Sequence, residues 1–79
     1  MNYLRFIYTK HSRARINERE ISVRQVELTV RSPDNVRASF GDRCIAQKHF
    51  RNKIAEVVYT NVRGRIVIIT AYWLEEFKK

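Results

Sequence analysis

Cysteine and proline each occur once in the 79 residues, and glycine occurs twice. A lone Cys44 excludes an internal disulfide and fits a reducing compartment. Two glycines leave no glycine-rich loop to cradle a phosphate, and both Gly41 and Gly64 fall where turns are expected. One cysteine and two distant histidines, His11 and His49, match no zinc-ligand spacing, so no metal and no other cofactor is expected. Pro33-Asp34 opens like a metal-dependent nuclease motif, but Glu56-Val57-Val58 lacks the lysine that such a motif needs. The most apolar run, residues 65–73, is too short to cross a membrane and is bracketed by Arg65 and Glu75. Residues 1–8 have neither a long apolar core nor a small-residue cleavage site, so no signal peptide and a cytoplasmic location are expected.

Acidic residues are also scarce. Eight Asp and Glu face sixteen Lys and Arg, for a formal charge of +8. Eleven of the sixteen are Arg, whose planar guanidinium favours bidentate contact with phosphate. The charge points to a polyanionic partner, either nucleic acid or an acidic protein segment, against the plainer reading of a generally basic surface. A chain of this length reads as one domain, 1–79. It buries only about 60% of its unfolded surface, so marginal stability, or support from a partner such as a second copy in a homodimer, is expected.

The run at residues 65–73 organises the remainder. Ile66, Ile68, Thr70 and Tyr72 alternate with Val67, Ile69, Ala71 and Trp73, so both faces are apolar and the segment reads as a central strand. Residues 4–8 read as a short first strand that must flank it. Thr9 is an N-cap for a helix over residues 10–20, in which His11, Arg15 and Arg19 line one face and Ser12 and Ile16 a neighbouring stripe. Ser22 and Gln25 form a capping box, with Ile21 and Val26 as its hydrophobic staple. Val23, Val26 and Val30 share the apolar face of this second helix, and Pro33 ends it by Ser32. From Asn35 the period changes to two. Gly41-Asp42 is a hairpin turn with glycine first. Strands follow over residues 43–51 and 53–61, with a turn at Asn52. Val62-Arg63-Gly64 turns into the organising strand, and residues 75–79 form a polar tail. The expected fold is α+β in the order β-α-α-β-β-β-β, with two helices packed on an antiparallel sheet.

Several short motifs fit known families. Thr9-Lys10-His11, Arg15, Glu18-Arg19-Glu20-Ile21-Ser22 and Pro33 resemble the first half of a small domain family of unknown function. Val57-Val58-Tyr59-Thr60, Arg65 and Ile68-Ile69-Thr70-Ala71 resemble the end of the BrnT toxin group. The order of elements is similar to that of the RelE/ParE-like toxins of bacterial toxin–antitoxin systems. BrnT-like chains usually carry Gly where Glu20 stands, and Arg where Tyr72 follows Ala71. The resemblance implies an endoribonuclease or translation inhibitor that acts on RNA, either free or on the ribosome, and is held by an acidic antitoxin protein.

Metal-free RNA cleavage needs a base for the ribose 2′-OH, an acid for the leaving oxygen and cations for the phosphate. His11 and His49 have side chains that ordinarily titrate near neutrality. With Lys48 and Tyr72 they make the candidate catalytic set. Arg15, Arg19, Arg51, Arg65 and Tyr59 are the candidate nucleic-acid contacts, with His49 and Arg51 placed on one face of the third strand. Each has a plainer alternative: His11 can orient a first helical turn, Tyr59 and Tyr72 can rim the core, and Lys48 can pack its stem at a sheet edge. Two other functions stay open, a nucleic-acid-binding module without catalysis and a basic protein-interaction domain.

Overall fold

A computed structural model describes residues 4–75 of the chain. The elements are β1 (Arg5–Tyr8), α1 (Lys10–Glu18), α2 (Val23–Arg31), β2 (Asn35–Ala38), β3 (Arg43–Phe50), β4 (Lys53–Val62) and β5 (Arg65–Glu75). They build an α+β fold in the expected order, with the strands arranged β1-β5-β4-β3-β2. The first strand flanks the last, as expected, but it runs parallel to it, Arg5 beside Arg65 and Tyr8 beside Ile68. The sheet is therefore mixed. Tight hairpins force β2 to β5 to alternate in direction, whereas two helices and three strands separate β1 from β5 and leave its sense free. Beyond Glu75, which ends β5, the expected polar tail lies outside the described residues.

The helix ends follow local chemistry. Thr9 caps α1, accepting from the Ser12 N–H while the Ser12 hydroxyl accepts from the Thr9 N–H. Ser22 and Gln25 make the same reciprocal pair on α2. The first helix stops two residues short of expectation because Glu20 takes a left-handed φ of 57°. Two carbonyl bonds close that end: Glu20 N–H to Asn17 O and Ile21 N–H to Ile16 O. This is a Schellman motif with its usual apolar contact, since Ile16 and Ile21 both belong to the core. It delivers Ile21 to the core cluster that also holds Val26, its expected staple partner. Val23 lies exposed, and α2 buries Val26, Thr29 and Val30 instead.

Both helices lie on one face of the sheet, α1 over β5 and α2 over β4 and β3. A bulge in β5 decides which residues point there. Val58 pairs with Thr70 but Tyr59 pairs with Ile68, so Ile69 is an extra residue. The strict alternation expected along β5 breaks at that point. Ile66, Ile68, Ala71 and Trp73 share the helix face with Ala55, Val57 and Tyr59, while Thr70 and Tyr72 join Glu56 and Val58 on the open face. Ile66, Ile68, Val57 and Ala46 are fully buried at the centre of the core.

Candidate functional site

A row of polar side chains crosses the open face, one from each of four strands. Glu56 of β4 stands opposite Gln47 of β3 and Tyr72 of β5 in the ladder. The Gln47 amide donates to Glu56 Oε1 at 2.6 Å, and the Tyr72 hydroxyl donates to Oε2. From β2 the Arg37 guanidinium lies 3.8 Å from Oε1. Glu56 is only 5% exposed, and a carboxylate so buried is tolerable only because it is paired and hydrogen-bonded on both oxygens. Burial, and then the bond to Glu56, push the Tyr72 phenol up to about 12.

Arg19 reaches the same row from the end of α1. Because β1 stops at Tyr8, opposite Ile68, the edge of β5 beyond that point has no strand beside it. The Arg19 guanidinium satisfies this edge, donating to the Ala71 carbonyl at 3.1 Å and to Thr70 Oγ1 at 3.2 Å. It also lies 5.7 Å from the centre of the Tyr72 ring. The result is a carboxylate and a phenol in direct contact, flanked by two guanidiniums. Such a set can take up a proton, supply one and bind phosphate oxygens.

His49 lies two residues along β3 from Gln47, on the same open face. Asp34 Oδ2 accepts from the His49 N–H at 2.8 Å and is 3.2 Å from Nδ1. The backbone bond, with the ring second, holds the Asp34 carboxyl below its ordinary range. Beyond His49 the sheet ends in a two-residue turn, Arg51-Asn52. Near it Trp73 meets Phe50 edge to face at 5.9 Å and carries the Lys53 ammonium 5.6 Å from its ring centre.

The other expected residues are dispersed. His11 and Arg15 pair along α1, Arg15 Nε donating to His11 Nε2 at 3.3 Å. Lys48 falls on the helix face, where its ammonium donates to the Ser32 carbonyl at 2.7 Å, at the C-cap of α2. Tyr59 is buried on that face beside Cys44, and burial pushes its phenol up. Arg51 does not share a strand face with His49, because at φ 60° it belongs to the turn. Arg65 opens β5 at the opposite end of the β4–β5 ladder. The structure thus brings Tyr72 and Arg19 together, sets His49 on their face and places Lys48 and Tyr59 on the other. Among the described residues no three His, Cys, Asp or Glu side chains converge as a metal site would require.

Residues 8–73 match the family described as Domain of unknown function (DUF4258). The chain belongs to that family. No curated protein matches it in sequence. In structure, this DUF4258 chain is similar to the ribonuclease toxin BrnT of Brucella abortus, with a TM-score of 0.71 and 17% identity over 92% of this chain and 99% of that one. At that identity the likeness is one of fold. No helix among the described residues is long and apolar enough to cross a membrane.

Three members of the polar row in this DUF4258 chain, Arg37, Gln47 and Glu56, are absent from the expected set. One signal for Glu56 stands in the sequence. It is the only charge inside residues 54–60, a segment otherwise fit for burial, and a carboxylate there requires partners. The alternation that marks β2 and β3 also puts Arg37 and Gln47 on one side of their strands. Their convergence depends on register, which single-strand periodicity does not carry.

Proposed function

We propose that this chain is the toxin of a toxin–antitoxin pair, RelE/ParE-like in kind. It acts in the cytoplasm as a single domain that cleaves RNA without a metal, under the control of an acidic antitoxin. The observation that supports this best is the Arg37–Gln47–Glu56–Tyr72 row with Arg19 beside it. The fold likeness to a ribonuclease toxin adds to it.

In this reading Glu56 accepts the proton of a ribose 2′-OH. The freed oxygen attacks the adjacent phosphorus, and the bond to the 5′ oxygen breaks. Tyr72 gives its proton to that departing oxygen, leaving a 2′,3′-cyclic phosphate. The proton then passes from Glu56 to the phenolate along the bond that already joins them, which resets the site. Arg19 and Arg37 stabilise the crowded phosphate. His49 extends the binding face.

A binding module without cleavage is the second reading. It is favoured by the engagement of both Glu56 oxygens, as in a purely structural pin across the sheet. Purified protein incubated with single-stranded RNA decides between them. Cleavage that yields cyclic-phosphate ends and disappears in Glu56→Gln supports the nuclease, as does growth arrest on expression without a partner. Salt-sensitive binding of RNA that stays intact selects the binding module. No RNA binding at low salt, with a tight acidic protein partner, selects an interaction domain.

A further inference from the structure

The end of the sheet at the β3–β4 turn holds a cleft of about 600 Å³, a volume that suits a nucleotide. His49, Phe50, Arg51, Lys53 and Trp73 line it. It bends around the sheet end, since His49 belongs to the open face and Trp73 to the helix face. A strand leaving the Glu56 row would pass His49 to reach it. The floor is aromatic, with the Phe50 and Trp73 rings set edge to face. The rim carries Arg51 and Lys53, and the nearby acid, Asp34, is already engaged by His49.

We infer that this cleft is a second nucleotide subsite, distinct from the Glu56 row, which takes a base of single-stranded RNA against Trp73 and the neighbouring phosphate on Arg51 and Lys53. Aromatic rings beside a cationic rim are what sequence-tolerant single-strand binding requires. Two details favour it over a merely basic turn. Lys53 now occupies the ring face of Trp73, where a base would stack. A base displaces it, and its flexible stem carries the ammonium to the phosphate. Arg51 also holds a left-handed φ of 60° in a turn that Asn or Gly would make with less strain, and it lines the cleft. The inference rests on the proposal that RNA is the polyanion, but not on cleavage.

Trp73 is the single tryptophan of the chain, so its emission reports the cleft directly in the full-length protein. The probe is a short 2′-O-methyl RNA, which binds as a single strand but has no 2′-OH to attack. Titration is expected to quench Trp73 saturably, and Arg51→Ala and Lys53→Ala are each expected to weaken that binding about tenfold. Both residues are exposed, so both variants fold. Binding seen by anisotropy of a labelled oligonucleotide without change at Trp73 overturns the inference, and so do variants that titrate like the parent. Quenching by inorganic phosphate alone, as strong as that by the oligonucleotide, also overturns it. So does quenching only by an acidic peptide. RNA cleavage with a silent Trp73 sinks the subsite and spares the nuclease. Saturable quenching with no cleavage of unmodified RNA does the reverse.

Discussion

Glu56 and Tyr72 are direct partners across β4 and β5, and the Tyr72 hydroxyl donates to the Glu56 carboxylate. That bond exists because the bulge at Ile69 turns Tyr72 to the open face. Without the extra residue, the side-chain alternation of period two would place Tyr72 with Ile68 among the core residues.

The first prediction concerns alkaline pH. The Tyr72 phenol is raised to about 12, and Tyr8 and Tyr59 are raised as well, mainly by burial. The folded chain therefore keeps these protons where the unfolded chain begins to lose them. Their contribution to stability is complete below the ordinary tyrosine value of 10.0. It is lost as pH rises from there through the folded values. Phenolate absorbance of the native protein at pH 10.5 should be well below that of the same chain in denaturant. Equal absorbance, with the fold intact by circular dichroism, would refute the assignment.

The second prediction is energetic. Glu56→Ala leaves Arg37, Gln47 and the Tyr72 hydroxyl facing a vacated acceptor site, and should destabilise by about 2–3 kcal/mol. Tyr72→Phe removes one donor and should have an effect of about 1 kcal/mol. In a double-mutant cycle by urea unfolding the two should couple by about 1 kcal/mol or more. Strict additivity would mean that the bond contributes nothing.

Elements set by neighbours in the chain are legible in the sequence alone. Thr9, Ser22 and Gln25 announce two helix starts, Pro33 a helix end, and Gly41 and Gly64 two hairpins. Each acts through its own backbone or on residues no more than three positions away. The central place of β5 followed from apolar residues on both its faces. The bulge left no local mark, because Ile69 is as apolar as its neighbours and only pairing with Val58 and Tyr59 makes it extra. The same holds for the site. Tyr72 and Arg19 stand out by their chemistry, whereas Arg37, Gln47 and Glu56 become a set only once four strands are in register. Lys48 has the right chemistry but shares its side of β3 with Cys44, Ala46 and Phe50, so its stem is committed to the helix face.

That commitment yields the third prediction. The Lys48 ammonium donates to the Ser32 carbonyl at the C-terminus of α2, where a cation also meets the negative end of the helix dipole. Lys48→Ala should cost about 0.5–1 kcal/mol of stability. RNA cleavage by the remaining folded protein should persist at parental rate. A loss of cleavage of a hundredfold or more, at unchanged stability, would return Lys48 to the catalytic set.

The fourth prediction tests the joint between the helices. Glu20 sits at the left-handed position of the Schellman motif, φ 57°, with the Glu20 and Ile21 N–H groups closing the end of α1. For a residue with a Cβ this conformation costs roughly 1–2 kcal/mol, while glycine adopts it freely. Glycine also loses more chain entropy on folding, which takes back part of the gain. Glu20→Gly should therefore stabilise the protein by about 0.5–1 kcal/mol, raising the melting temperature by several degrees for a domain of this size. Glu20→Ala keeps the Cβ and removes the carboxylate, so it isolates the backbone effect and should give little or no gain. If alanine stabilised as much as glycine, the benefit would come from the removed charge, and the strain at Glu20 would not be what limits this helix end.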